Sequence, residues 1–180
     1  TPYRYRILGV AGVEAVTHFT WFGGYYKKES NLVTVFPIES QSFFQVFDDY
    51  IIDEQLKNNW LNNRNGAMVG DKIAQKNGWK VGQRINLGSQ IYPQQSGDMV
   101  WSVVIEAIYK SPVRTKEAER VLIHYDYFNE TRMFGQYTVS WFSTKLTAGA
   151  NIESVAKSID KLFIHSPNAT KTQTETEVIK

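Results

Sequence analysis

The side chains that could do chemistry are few and scattered. The three histidines, His18, His124 and His165, sit far apart, and no His-x-x-x-His pair would set two imidazoles on one helical face. A zinc centre needs three or four converging ligands, so these read as core or surface histidines. Asp48, Asp49, Asp53 and Glu54 form an acidic run, but it lacks the alternate-oxygen spacing and turn glycine of an EF-hand loop and reads as a solvated helix junction. Gly66 and Gly70-Asp71-Lys72 approximate a phosphate loop. The spacing is one residue short, and Asp71 would put a negative charge where a phosphate sits. There is no Gly-x-Ser-x-Gly elbow. Asn129-Glu130-Thr131 and Asn168-Ala169-Thr170 match the N-glycosylation pattern, a frequent chance match. The expectation is therefore no catalytic, cofactor-binding or metal-ligating residue, and no cofactor.

Composition narrows the class. A 180-residue chain can build one ample core or two small lobes. It is 42% hydrophobic and 21% charged, ordinary globular values. The absence of cysteine excludes a disulfide framework and thiol chemistry. Net charge is +2, with basic and acidic residues interleaved and no basic stripe, which argues against a nucleic-acid partner. A membrane span needs about 20 apolar residues; the longest uncharged apolar-rich run, Met133 to Thr144, is shorter and carries polar alternation. The start at Thr1-Pro2, without methionine, suggests a processed or excised piece. Aromatic residues reach 14%. They suit half-buried strands, but Trp21, Phe22, Tyr25, Tyr26, Trp101 and Trp141 also allow a second reading, a soluble ligand- or peptide-binding module with an aromatic surface.

The elements that would position any site centre on Gly66 to Leu87. Ala67 to Val69 reads as a short buried strand. Gly70-Asp71 opens a two-turn helix with its acidic residue at the positive end of the dipole. Gly78 is the left-handed stop, and Arg84 to Leu87 alternates as a second strand. Around this core, Tyr3 to Leu8 reads as a last helical turn. Gly12 to Tyr26 reads as a strand broken at Gly23-Gly24, and Lys27 to Asn31 as a turn. Leu32 to Phe36 then pairs back as a hairpin that Pro37 ends. Ser40 or Ser42 is expected to cap a helix through Phe43 and Phe47, and Asp53-Glu54 to open another through Trp60. Val100 to Tyr109 and Gln136 to Leu146 are further strand-like runs, and Val121 to Phe128 is another strand or a strand-to-helix passage. Asn151 caps a helix whose stripe is Ile152, Val155, Ala156, Ile159, Leu162 and Phe163. Burying all of it would be worth on the order of 10 kcal/mol. Ser166-Pro167 stops it.

Several of these pieces, in order, resemble the MacB-like periplasmic core domain of bacterial ABC-transporter permeases with an FtsX-like membrane part. Gly12-Val13-Glu14-Ala15-Val16-Thr17 resembles the run that follows that family's first membrane helix. Val35-Phe36-Pro37-Ile38-Glu39 before Phe43-Phe44 is similar to its strand and helix, and Gly66 to Leu87 to its core. Val103 to Tyr109 stands where the family has Val-Val-Gly-Ile, with Glu106-Ala107 replacing the glycine position. Phe163 to Glu175 resembles the run before the second membrane helix.

The resemblance implies an α+β, two-lobed mixed domain. Residues 1–57 and 135–166 would form a membrane-proximal lobe, 58–134 an inserted β-rich lobe and 167–180 a flexible juxtamembrane tail. It implies a non-catalytic extracytoplasmic (periplasmic) part of a permease at the bacterial inner membrane, which couples motion or engages cargo. Its partners would be flanking transmembrane helices, a cytoplasmic ATP-binding subunit, a second permease copy in a dimer and a periplasmic protein.

Overall fold

The computed structural model describes residues 2–164 and Thr172. The expected tail 167–180 lies outside the described residues apart from Thr172, as do His165 and the Ser166-Pro167 stop. An open nine-stranded mixed sheet forms the body, in the spatial order β3-β2-β6-β7-β5-β8-β4-β1-β9. The strands are β1 Val13–Phe19, β2 Gly24–Tyr26, β3 Lys28–Leu32, β4 Thr34–Ile38, β5 Gly66–Gly70, β6 Arg84–Ser89, β7 Val100–Tyr109, β8 Arg120–His124 and β9 Trp141–Leu146. Helices α1 Pro2–Leu8, α2 Ser40–Val46, α3 Glu54–Asn62, α4 Asp71–Asn77, α5 Tyr125–Thr131 and α6 Ile152–Leu162 surround it. The fold is thus α+β, as expected.

The central stretch forms as read. β5 is buried at every position. Asp71 opens α4, and Gly78 ends it in the left-handed conformation at φ 67°, its N–H reaching Ala74 and Gln75 carbonyls. Gly70 is required for another reason: a Cβ there would lie 1.9 Å from the Ala118 carbonyl oxygen. The 3-10 turn Thr115–Glu119 can lie on the end of β5 only because Gly70 has no side chain.

The N-terminal half departs from the sequence expectation. Gly12 to Tyr26 is two strands at opposite ends of the sheet, since β1 lies beside the edge strand β9 while β2 pairs with β6. Lys28–Leu32 is the edge strand β3, because Lys27 at φ 66° makes a tight reversal after β2. β1 and β4 are not a hairpin: they share one residue pair, Phe19 with Ile38, and β4 instead runs parallel to β8. That nearly open flank tolerates Pro37, which lies within β4 rather than ending it. Glu39, not a serine, caps α2 by accepting from the Ser42 N–H, while Ser42 Oγ is bonded to Thr17 Oγ1 at 2.9 Å. The last strand starts only at Trp141; the preceding residues form a turn with Tyr137 at φ 65°.

Asn151 caps α6 as expected, accepting from Ser154 N–H at 2.9 Å. Its buried stripe is narrower than the sequence suggests. Val155, Ile159 and Phe163 are buried, whereas Ile152 is 56% and Leu162 37% exposed. Three large side chains at ~1.5–3 kcal/mol each put the burial nearer ~5–9 kcal/mol. We therefore expect Phe163→Ala to cost about 3–5 kcal/mol of unfolding free energy and Ile152→Ala no more than about 0.5. Urea titration of the two variants checks this; equal losses would contradict the packing described.

Candidate functional site

The scattered polar and acidic residues of the chain do not converge in the fold. Asp48 pairs with Lys145 at 2.5 Å, which holds its carboxyl below the ordinary range. Asp49 accepts from Arg114 at 2.6 Å. Asp53 caps α3 through the Leu56 N–H. Among the described residues no group of three or more His, Asp or Glu side chains is placed to hold a metal ion. Asn129 is buried, with its Oδ1 accepting from Arg132 and Tyr137, so it is not a surface acceptor.

Two histidines are core residues. His124 receives Trp60 stacked at 4.2 Å, and its Nε2 lies 2.8 Å from the Trp60 carbonyl. Nε2 therefore carries the proton, and Nδ1 accepts from Ser40 Oγ at 2.5 Å. This Ser–His pair ties α2 to β8 and α3. No acid orients the ring, and Nδ1 rather than Nε2 faces the hydroxyl. His18 lies between the Tyr125 ring at 4.7 Å and the Phe142 ring at 6.4 Å. Burial lowers its pKa to about 4, with Arg4 acting in the same direction and Glu39 opposing it.

The aromatic residues divide likewise. Phe22 and Trp101 are fully buried in the largest core cluster. Tyr26 packs edge-on to Trp79, and the Tyr25 ring lies on Gly88, where a Cβ would be 2.0 Å from it. Trp21 and Trp141 stay half exposed on either side of Phe36. The six do not form one binding surface.

What the fold does bring together is its two ends. Tyr3, near the start of α1, meets Phe163, just past α6, edge-on at 4.9 Å. One turn on, Arg6 Nη2 donates to the Leu162 carbonyl at 2.9 Å and its guanidinium lies 4.8 Å from the Phe163 ring. At the other end of the pair, a Cβ on Gly12 would lie 2.9 Å from Val155 Cγ2 and 3.3 Å from Ala150 Cβ. Both Tyr3 and Arg6 of α1 thus meet the end of α6, and the loop after α1 reaches its first turn at Gly12. Arg4 Nε fastens α1 to β1 through the Val16 carbonyl at 3.1 Å. Ile7, Val13, Val16, Val155, Ile159 and Phe163 fill the space beneath. Beyond α6, Thr172 N–H and Oγ1 both donate to Asp160 Oδ1, at 2.8 and 2.6 Å. The family resemblance already puts both helices in one lobe, but Arg6 and Tyr3 sit in a single turn with too short a pattern to indicate the residues they touch. No helix among the described residues is long and apolar enough to cross a membrane.

The body is an open-sheet α+β domain, with Tyr3 and Arg6 meeting Leu162 and Phe163 and no metal-holding cluster among its described residues. The chain belongs to the MacB-like periplasmic core domain family, whose pattern matches residues 2–162. No curated protein sequence matches it. Its fold is similar to the extracellular domain of the ABC-type transporter YknZ from Gram-positive bacteria, with a TM-score of 0.61, 16% identity and coverage of 96% of this chain and 88% of that one. It is also similar to the periplasmic region of MacB from Actinobacillus actinomycetemcomitans, with a TM-score of 0.61, 10% identity and coverage of 99% and 81%. A domain ascribed to a permease protein from Porphyromonas gingivalis gives a TM-score of 0.52 at 13% identity, covering 95% and 84%.

Acidification tests the buried histidines. Unfolded His18 binds a proton near pH 6.5 and the folded ring only near 4, so the unfolded state holds more protons between these values. Stability is complete above about pH 6.5 and falls as pH drops toward 4, by about 3 kcal/mol at 1.36 per pKa unit. Burial lowers His124 as well and adds in the same direction. Urea unfolding at pH 7 and pH 4.5 should show the loss, reduced in His18→Phe, which keeps the edge contacts but cannot titrate.

Proposed function

We propose that this domain stands on the periplasmic face of a bacterial inner membrane and relays motion between two membrane helices and a partner or substrate outside. The observation that carries this reading is the clasp of Tyr3 and Arg6 on Leu162 and Phe163. A domain held at both ends by one bilayer needs its two ends on one side, and Tyr3 against Phe163 meets that requirement. ATP hydrolysis belongs, on this reading, to a cytoplasmic subunit, and a second permease copy completes a dimer.

The division of labour follows the two ends. Residues 1–57 with 135–166 would form the membrane-proximal lobe, 58–134 the inserted lobe and 167–180 the juxtamembrane connection. A core cluster built from α1, β1, β9 and α6 side chains supports it, although β2 crosses the boundary to pair with β6 and β4 to pair with β8. A small-molecule role has less behind it, since the tryptophans and tyrosines that motivate it are spread over separate parts of the molecule.

Breaking the clasp tests the coupling. In the full transporter, Tyr3→Ala with Arg6→Ala removes the ring contact and the link to Leu162, leaving Ile7, Ile159 and Phe163 in the core. Substrate-stimulated ATP hydrolysis should fall several-fold while basal hydrolysis and domain folding persist. Unchanged stimulation with the clasp broken would sink the coupling role. A cysteine at the exposed Tyr5 position, in a chain with no cysteine of its own, should react with a membrane-impermeant maleimide added from the periplasmic side.

A further inference from the structure

Arg132 is a fully buried cation with no carboxylate partner among the described residues. It ends α5, and its Nη2 donates to Asn129 Oδ1 at 3.0 Å, the Thr138 carbonyl at 3.0 Å and the Tyr125 hydroxyl at 3.4 Å. The remaining donors, Nε–H and the two on Nη1, have no partner among the described residues. The guanidinium lies over three rings, Phe128 at 4.6 Å, Tyr92 at 5.3 Å and Tyr125 at 5.8 Å. Ring faces offset part of a cation's desolvation, but they leave N–H donors unpaired. A buried charged group with unmet donors is strongly penalised unless an opposite charge completes it.

The cover over this group is a single turn. Gly135, at φ 81°, sits so close that a Cβ would lie 3.5 Å from Nη1. The turn is held by Tyr137 N–H on Asn129 Oδ1 at 2.8 Å and by Thr138 Oγ1 on the Gly135 carbonyl at 2.5 Å. Tyr137 adopts φ 65° with its ring 81% exposed, a left-handed conformation for an aromatic residue with no packing in return. Met133 and Phe134 beside it are half exposed.

We propose that Arg132 anchors an oxyanion site, taking a carboxylate or phosphate group beneath the Gly135–Thr138 turn. Lifting the turn gives up the Tyr137 bond to Asn129, the Gln136 bond to the Arg132 carbonyl and the two bonds that the Thr138 carbonyl accepts from Arg132 and Tyr125, and it releases Tyr137 from the left-handed region. The incoming oxygens then accept from Nη1 and Nε, and the aromatic floor stays in place. A guanidinium favours planar, multi-oxygen acceptors over a spherical halide, so chloride is the control. The inference does not rest on the transport reading, and it holds or fails without a membrane.

The test uses the 180-residue chain at constant ionic strength, with sodium phosphate and sodium acetate titrated separately against sodium chloride. The Arg132 Nε–H resonance, assigned by its loss in Arg132→Lys, should move saturably with at least one oxyanion and not with chloride. The midpoint of thermal unfolding should rise by a few degrees with the same anion, and Arg132→Met should lose that rise. Which anion acts separates phosphate from carboxylate chemistry. A resonance unmoved by both anions, an equal response to chloride, or an equal thermal shift in Arg132→Met would overturn the proposal; if Arg132→Met does not fold, the resonance alone decides.

Discussion

The structure depends on one constraint: β5 must be buried on both faces at the middle of a nine-stranded sheet. It is flanked by β7 running parallel and β8 running antiparallel. Ala67 and Val69 face one core cluster and Met68 the other. Such a strand has no solvent side, so each residue must match the space it meets, and Gly70 meets the Ala118 backbone. The 3-10 turn, β8 and α4 all take their places around that strand.

β7 shows how the constraint is met. Its odd-numbered residues are all buried, but not into the same cluster. Trp101, Val103 and Ile105 belong with Ala67 and Val69, whereas Ala107 and Tyr109 belong with Met68. The register against β5 shifts between Ile105 and Ala107. Glu106 is the extra residue of this bulge, and its carboxylate accepts from Asn63 Nδ2 at 3.0 Å. The bulge passes the strand's inward parity from one face to the other, so ten residues of regular alternation serve two cores.

This explains how much of the molecule was legible in its residues. Local punctuation read well: Gly78, Asp53 and Asn151 do at α4, α3 and α6 what their chemistry dictates. Alternation found β5, β6 and β7 but could not see the bulge, because both faces of β7 are covered and the hydrophobic pattern does not break. Strand neighbours were the larger loss. Nothing local tells β1 to pair with β9, some 125 residues on, rather than with β4, and Lys28–Leu32 has the composition of a turn because it is an edge, where charge discourages further pairing. That the two ends share a lobe followed only from the family resemblance; the bonds that join Tyr3 and Arg6 to Leu162 and Phe163 link residues so distant that they leave no periodic trace.

The abundance of aromatic residues serves rigidity more than recognition. Phe19 is in ring contact with Phe36, Phe43, Phe47 and Trp141, and Phe43 in turn with Phe44 and Tyr50. Tyr50 stacks on Tyr109 at 4.7 Å and donates to Glu117, so a continuous set of rings joins α2 to the centre of the sheet. Rings carry few rotatable bonds, and edge-to-face contacts resist sliding. On the transport reading, a body of this kind passes on a displacement of its clasped ends instead of absorbing it. β1 links the clasp to β9 over most of its length; toward the centre it meets β4 at the single pair Phe19–Ile38, where the rings around Phe19 bridge to the continuous β4–β8–β5 pairing. A lever of this sort needs no cofactor; it needs a stiff path from its hinge, and the hydrogen-bonded sheet with its rings supplies one.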